Sequence, residues 1–215
     1  MRDIPIIFSA PMVKALLAGR KTMTRRLAHR KSRDGIFDLA PSPWQRVEPG
    51  DALWVRENLQ FFGTPGGDAS IMFEPLHYAA DEQVPGAVGP AITVPAGWRL
   101  PNHGGEKIPS IHMPRWASRL TLEVTAVKIE RLQDITPEDA ESEGVWYSSA
   151  EYREQVCIWR DCAGALQKLR VKEFANLWKR LHGDEAWDAN PEVVAISFRP
   201  HQINIDQFLR ERAAA

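Results

Sequence analysis

A chain of 215 residues with 44% hydrophobic and 26% charged residues has the make-up of one ordinary globular domain able to bury a core. The longest apolar runs, such as Ile4–Phe8 and Val193–Ile196, are strand-sized, which excludes a membrane span. A net charge of −1 excludes a surface that attracts nucleic acid over its whole extent.

The N-terminal apolar stretch carries Asp3 and has no proper hydrophobic region, so a signal peptide is not expected. Cys157 and Cys162 fit neither a disulfide framework nor a CxxC site, and reduced thiols in a cytoplasmic protein are the plain expectation. Charge is unevenly placed. Residues 14–33 hold Lys14, Arg20, Lys21, Arg25, Arg26, Arg30, Lys31 and Arg33 without an acid, while 133–143 hold Asp134, Glu138, Asp139, Glu141 and Glu143 without a base. Such a basic run suits local phosphate contact, or it is a solvated face compensated by the acidic helix.

In chain order, Ile4–Phe8 predicts a short buried strand. Ser9 then caps a helix with Met12, Val13, Leu16 and Leu17 on its apolar face, closed by Gly19. Arg20–Leu27 suits extended chain. Pro49-Gly50-Asp51 predicts a turn into a strand over Ala52–Glu57. Residues 63–109 contain 8 Gly and 7 Pro and read as an insertion or lid, with a brief strand candidate at Ser70–Phe73. In Arg119–Arg131, Leu120, Leu122 and Val124 alternate in one phase and Val127 and Ile129 in the other, which predicts a bulge or bend near Thr125. Thr136-Pro137-Glu138-Asp139 starts a helix that Gly144 ends. Residues 146–170 are charged and partly helical in expectation. Val171, Phe174, Ala175, Leu177, Trp178 and Leu181 follow an i, i+3, i+4, i+7 stripe ending at Gly183. Glu192–Phe198 is the last strand, and 200–215 is a polar helix or a frayed tail. The expected organisation is one domain over 1–199 plus that tail.

No dinucleotide fingerprint, P-loop, GxSxG or HExxH pattern is present, and six scattered histidines lack ligand spacing, so no metal and no cofactor are expected. What remains is the stretch Gly19 to Arg26, where a lysine, a threonine and two arginines follow a helix end. A lysine among cations loses some hold on its proton, and a neutral amine can activate a hydroxyl. In a regular strand positions 21 and 24 face opposite ways, so joint action of Lys21 and Thr24 requires a bend. On these residues alone, a basic surface loop is the plainer reading.

Gly19-x-Lys21-x-x-x-x-Arg26 resembles the G-x-K-x-x-x-x-R signature of the ASCH family, part of the PUA-like superfamily. The wider chain is similar to the longer phage and prophage branch of that family. The passages that carry this are residues 4–26, GDALWVRE at 50–57, Tyr78–Asp81, residues 109–136 and residues 177–193. The resemblance implies an α+β fold: a curled, mostly antiparallel PUA-like β-barrel with flanking helices. Small bacterial members that this chain resembles at the key positions are amidohydrolases acting on N4-acetylcytidine with a lysine, a threonine and a glutamate. Carried over, these are Lys21, Thr24 and Glu143, the last from Asp139-Ala140-Glu141-Ser142-Glu143, where Asp139 replaces a histidine of the family pattern. This chain departs from those members in its roughly doubled length and its two insertions.

The resemblance implies that Lys21 takes the proton of Thr24, that Thr24 attacks the acetyl carbonyl, and that Glu143 orients the leaving amine. Arg25, Arg26 or a backbone amide would hold the oxyanion. The alternative is a plain Lys21–Glu143 ion pair joining helix to loop. Trp54 and Trp116 lie beside Arg56 and Arg115 and suit either base stacking or core packing. Arg56, Glu57, Arg115 and Arg119 complete the candidate binding residues. The expected partner is a modified nucleoside or RNA, with no membrane partner. A non-catalytic RNA-binding module and a ribonuclease acting on single-stranded RNA are the competing readings.

Overall fold

The computed structural model describes residues 1–31, 37–61, 76–81, 92–93, 95–96, 107–145 and 162–214. Cys157, the strand candidate Ser70–Phe73 and most of the Gly/Pro-rich segment lie outside the described residues. The class is α+β. Five strands form a mixed sheet in the order β1-β5-β9-β10-β2: β1 (Asp3–Ile7), β2 (Met23–Leu27), β5 (Ala52–Arg56), β9 (Thr121–Arg131) and β10 (Glu192–His201). Among the described residues this sheet is open, and no closed barrel is found. Four α-helices are present among those residues: α1 (Ala10–Leu17), α2 (Pro137–Ser142), α3 (Cys162–His182) and α4 (Ile205–Ala213). None is long and apolar enough to cross a membrane.

The chain groups into two compact units. The first comprises Met1–Leu17, Ala52–Leu122 and Pro200–Ala215. Here β1 runs parallel to β5, from Asp3 opposite Ala52 to Ile7 opposite Arg56. Ile4–Phe8 was expected to be buried, and Ile6 at 1% and Phe8 at 6% exposed are, while Ile7 is 41% exposed. β1 is an end strand of the sheet, where Pro5, lacking an N–H, is tolerated. In α1, Val13, Ala15 and Leu16 are buried, and Gly19 beyond its end takes a positive φ of 68°. The turn before β5 uses Gly50 at a φ of 91°.

A three-stranded antiparallel sheet, β7-β6-β8, is built from β6 (Leu59–Phe61), β7 (Leu76–Tyr78) and β8 (Lys107–Ile108). Its inner face joins Leu59 and Ile108 to Met113 and Ala117. The C-terminal segment is a capped helix. Asn204 accepts from the Asp206 N–H and donates to the carbonyls of Arg115, Trp116 and Ser118. Ile205 and Phe208 of α4 then pack with Ala52 and Trp54.

The second unit comprises Ala18–Asp51 and Glu123–Arg199. β2 pairs antiparallel with β10, Thr24 opposite Ile196 and Arg26 opposite Val194. A short antiparallel pair follows, β3 (His29–Lys31) with β4 (Phe37–Pro41). The predicted caps of α2 are present: Thr136 accepts from the Asp139 N–H, Pro137 opens the helix, and Gly144 leaves it at a φ of 79°. α3 includes residues 162–170, the helical part expected of that region, and ends at Gly183 with a φ of 101°. Phe174 and Trp178 join Leu132, Ile135, Ala140 and Val193 in the core of this unit. Leu181 does not complete the stripe, being 62% exposed in the last turn of α3.

β9 is one continuous strand rather than two segments. Its burial changes at the predicted place, where Thr125 and Ala126 are exposed in succession. Ile129, in the second phase of the alternation, is 54% exposed.

Phe208 is 6% exposed in the core formed with Trp54. Phe208→Ala is expected to cost about 3–5 kcal/mol in urea denaturation. A loss below about 1 kcal/mol would show that α4 is dispensable for that core.

Candidate functional site

The site is built where the end of α2 meets the segment before β2. A helix leaves its last carbonyls without intrahelical donors. At α2 these are taken by residues 21 and 22: the Thr22 N–H donates to Ser142 O at 2.8 Å, and Lys21 Nζ donates to Glu143 O at 2.7 Å. Lys21 Nζ also donates to the Glu143 carboxylate at 2.8 Å and to Met23 O at 2.8 Å. Glu143 is the C-cap of α2, and its own N–H returns to Asp139 O. Its carboxylate is therefore placed by the helix end itself.

Both partners are buried, Lys21 at 1% and Glu143 at 4% exposed. Burial, the largest effect, pushes the Lys21 ammonium below its usual value. The Glu143 carboxylate opposes that shift, while Arg26 and Arg25 add to it. The basic neighbours anticipated from the sequence do act, though less than desolvation.

Arg25 is the hub of the surrounding charges. Its guanidinium donates to Glu130 at 2.7 and 3.0 Å, to Asp139 at 2.6 Å and to Glu143 Oε1 at 3.3 Å, and it lies over the Phe174 ring at 5.7 Å. Lys128 braces Glu130 and Asp139 from the exposed side, at 3.0 Å each. Partial burial works to raise the Asp139 pKa, yet hydrogen bonds from Lys128 and Arg25 hold it below the usual carboxylate range. The basic run is thus not one solvated patch. Lys21 and Arg25 are buried and spent on carboxylates, whereas Arg20 and Arg30 are exposed.

Thr24 is buried at 4% and is the second residue of β2. Regular strand geometry begins at Met23, so strand alternation does not govern the side chain of Lys21. Thr24 takes no part in the hydrogen bonds described above. Arg26 follows it by two residues and therefore projects from the same face of β2. Arg26 is felt electrostatically by both Lys21 and Glu143. Burial, opposed by Glu143, lowers its own pKa. Gly19, with its left-handed φ, turns the chain two residues before the lysine.

The remaining candidates belong to the first unit and form networks of their own. Arg119 donates to both oxygens of buried Glu57, at 2.9 and 3.0 Å, and to both of Asp81, each at 2.8 Å. Its guanidinium lies 3.8 Å from the Tyr78 ring centroid. Burial raises the Glu57 pKa against the pull of Arg119, and burial pushes the Tyr78 phenol up to about 12. Trp54 is buried, with Arg56 at 5.5 Å and Arg115 at 6.0 Å from its ring. Arg115 pairs with Asp3 and with Asp206, and Arg56 donates to Ile111 O. Trp116 packs against the Leu59–Ile108 cluster.

Sequence reasoning did not single out Glu130 or Trp44. Glu130 meets Arg25 across 105 residues, which no local spacing signals. Trp44 lies in a 3-10 turn, Pro43–Arg46, with Arg26 at 5.4 Å from its ring centroid. No group of His, Cys, Asp and Glu side chains suited to hold a metal occurs among the described residues.

Removing one partner of a buried pair strands the other charge, so Glu143→Ala is expected to cost about 3–5 kcal/mol in urea denaturation. A loss under about 1 kcal/mol would contradict the pairing. The Lys21 shift also carries a pH signature. Between its lowered folded value and the usual 10.5, the unfolded chain holds a proton that the folded chain has lost, so stability rises with pH in that window. The stability of the native protein minus that of Lys21→Met should therefore climb toward pH 10.5, as read from denaturation midpoints. A flat or falling difference would contradict the shift.

Comparison with protein-family models, with curated proteins and with solved structures found no match to this chain, so its function is read from the chemistry of the site.

Proposed function

We propose that this protein is an ASCH-type amidohydrolase that removes the acyl group from N4-acetylcytidine-type substrates, with a curled PUA-like fold. The observation that carries this reading is the Lys21–Glu143 pair: a lysine amine at 1% exposure, lowered in pKa by burial, held on a carboxylate and a helix-end carbonyl. Keeping an ammonium and a carboxylate out of water is costly and seldom stabilises a fold beyond what apolar residues would do. Groups so perturbed concentrate where proton transfer is needed.

Lys21 in its neutral form accepts the proton of the Thr24 hydroxyl as that oxygen adds to the acetyl carbonyl. Arg26, on the same face of β2 as Thr24, supplies positive charge for the oxyanion. The Arg25 guanidinium is already committed to Glu130, Asp139 and Glu143, and its part is to fix the glutamate. On collapse the C–N bond breaks and the cytosine amine leaves, oriented by Glu143 and protonated by the Lys21 ammonium. Water then attacks the acetyl ester of Thr24, giving up its proton to Lys21; the ester C–O bond breaks, the Thr24 oxygen takes that proton back, and acetic acid leaves, to ionise to acetate in solvent.

The test is to incubate N4-acetylcytidine with the protein and follow conversion to cytidine by ultraviolet absorbance and chromatography. Lys21→Ala and Thr24→Ala are each expected to lower kcat by about a thousandfold or more. Absence of turnover by the native protein, or full activity in either variant, would overturn the assignment.

A further inference from the structure

We propose that Trp44 is the base-stacking wall of this site, the surface on which the ring of a pyrimidine nucleoside lies; the inference rests on the nucleoside reading above. Lys21, Thr24 and Glu143 are buried, so a ligand reaching them must pass along residues that keep contact with solvent. Arg26 and Trp44 are both only partly buried and are in contact, the guanidinium 5.4 Å from the ring centroid. Arg26 shares the Thr24 face of β2 and is electrostatically coupled to Lys21 and Glu143. Trp44 therefore stands beside a guanidinium on the Thr24 face of β2 and keeps part of its surface open to solvent.

Trp44 is also held in place. The Ser42 N–H donates to Ala28 O at 2.8 Å and its hydroxyl to Leu27 O at 2.7 Å, while Gln45 Nε2 donates to Ala28 O at 2.6 Å. These three bonds bracket the tryptophan and tie its 3-10 turn to the end of the strand that carries Thr24. An indole fixed in this way loses little freedom when a base stacks on it, and every base has a face to offer. A guanidinium alongside adds a second planar, cationic surface.

The experiment measures binding of cytidine, the product, which cannot turn over, by calorimetry or ligand-observed NMR. Trp44→Ala is expected to weaken binding roughly 5- to 150-fold, the range for loss of one base–aromatic stack, and Trp44→Phe to stay within about threefold of the native protein. If Trp44→Ala does not fold, Trp44→Leu, which keeps apolar bulk without an aromatic face, carries the same expectation. In turnover of N4-acetylcytidine the loss should fall on KM more than on kcat. Native-like cytidine binding by Trp44→Ala or Trp44→Leu, or no cytidine binding by the native protein at millimolar concentration, would overturn the proposal. Trp44-dependent binding without hydrolysis would sink the amidohydrolase reading and leave the stacking wall standing. Hydrolysis with KM unchanged in Trp44→Ala would do the reverse.

Discussion

An ammonium withdrawn from water needs oxygen atoms around it, and the end of a helix has them to give. At the C-terminus of α2 the carbonyl and the carboxylate of the C-cap Glu143 converge on Lys21, and the Thr22 N–H closes the carbonyl of Ser142. Lys21 and Thr22 lead directly into β2 at Met23, so one set of bonds fixes both the helix end and the strand entry. Glu143 is positioned by backbone geometry rather than by a flexible loop. That is a rigid basis for a reactive pair.

Around the pair, charge is closely balanced. Arg25 is buried among three acidic side chains, and Lys128 steadies two of them from outside. Glu130 and Asp139 draw on the guanidinium of Arg25 more closely than Glu143 does, at 2.7 and 2.6 Å against 3.3 Å. Glu143 is thus left to face Lys21 at 2.8 Å. The first unit repeats the theme with Arg119 between Glu57 and Asp81, a closed network whose guanidinium is engaged on both sides and stacked on Tyr78. It reads as a brace for β6 and β7, the strands that flank its acidic partners.

Local signals in the sequence were reliable where a few adjacent residues decide the outcome. Thr136, Pro137 and Gly144 bounded α2, Gly183 ended α3, and the turn at Gly50 led into β5. They were weaker where burial depends on neighbours far along the chain. Ile7 and Ile129 have strand periodicity yet face solvent, and Leu181 sits one turn beyond the core that claims Trp178. The basic run from 14 to 33 looked like a surface feature because its compensating acids lie more than a hundred residues away. Lys21 and Glu143 were legible as a pair only through resemblance, since their meeting depends on β2 and α2 being folded together. Trp44 carried no signal at all: its place beside Arg26 comes from the clips made by Ser42 and Gln45 to β2.

The account turns on the state of one amine. Heteronuclear NMR of the lysine side-chain carbons, with the Lys21 signal assigned by its loss in Lys21→Arg, follows its titration directly. The account predicts a midpoint clearly below the usual 10.5 and a further change in that midpoint when Glu143 is replaced by Gln. A Lys21 that titrates at or above 10.5, as an exposed lysine does, would contradict it.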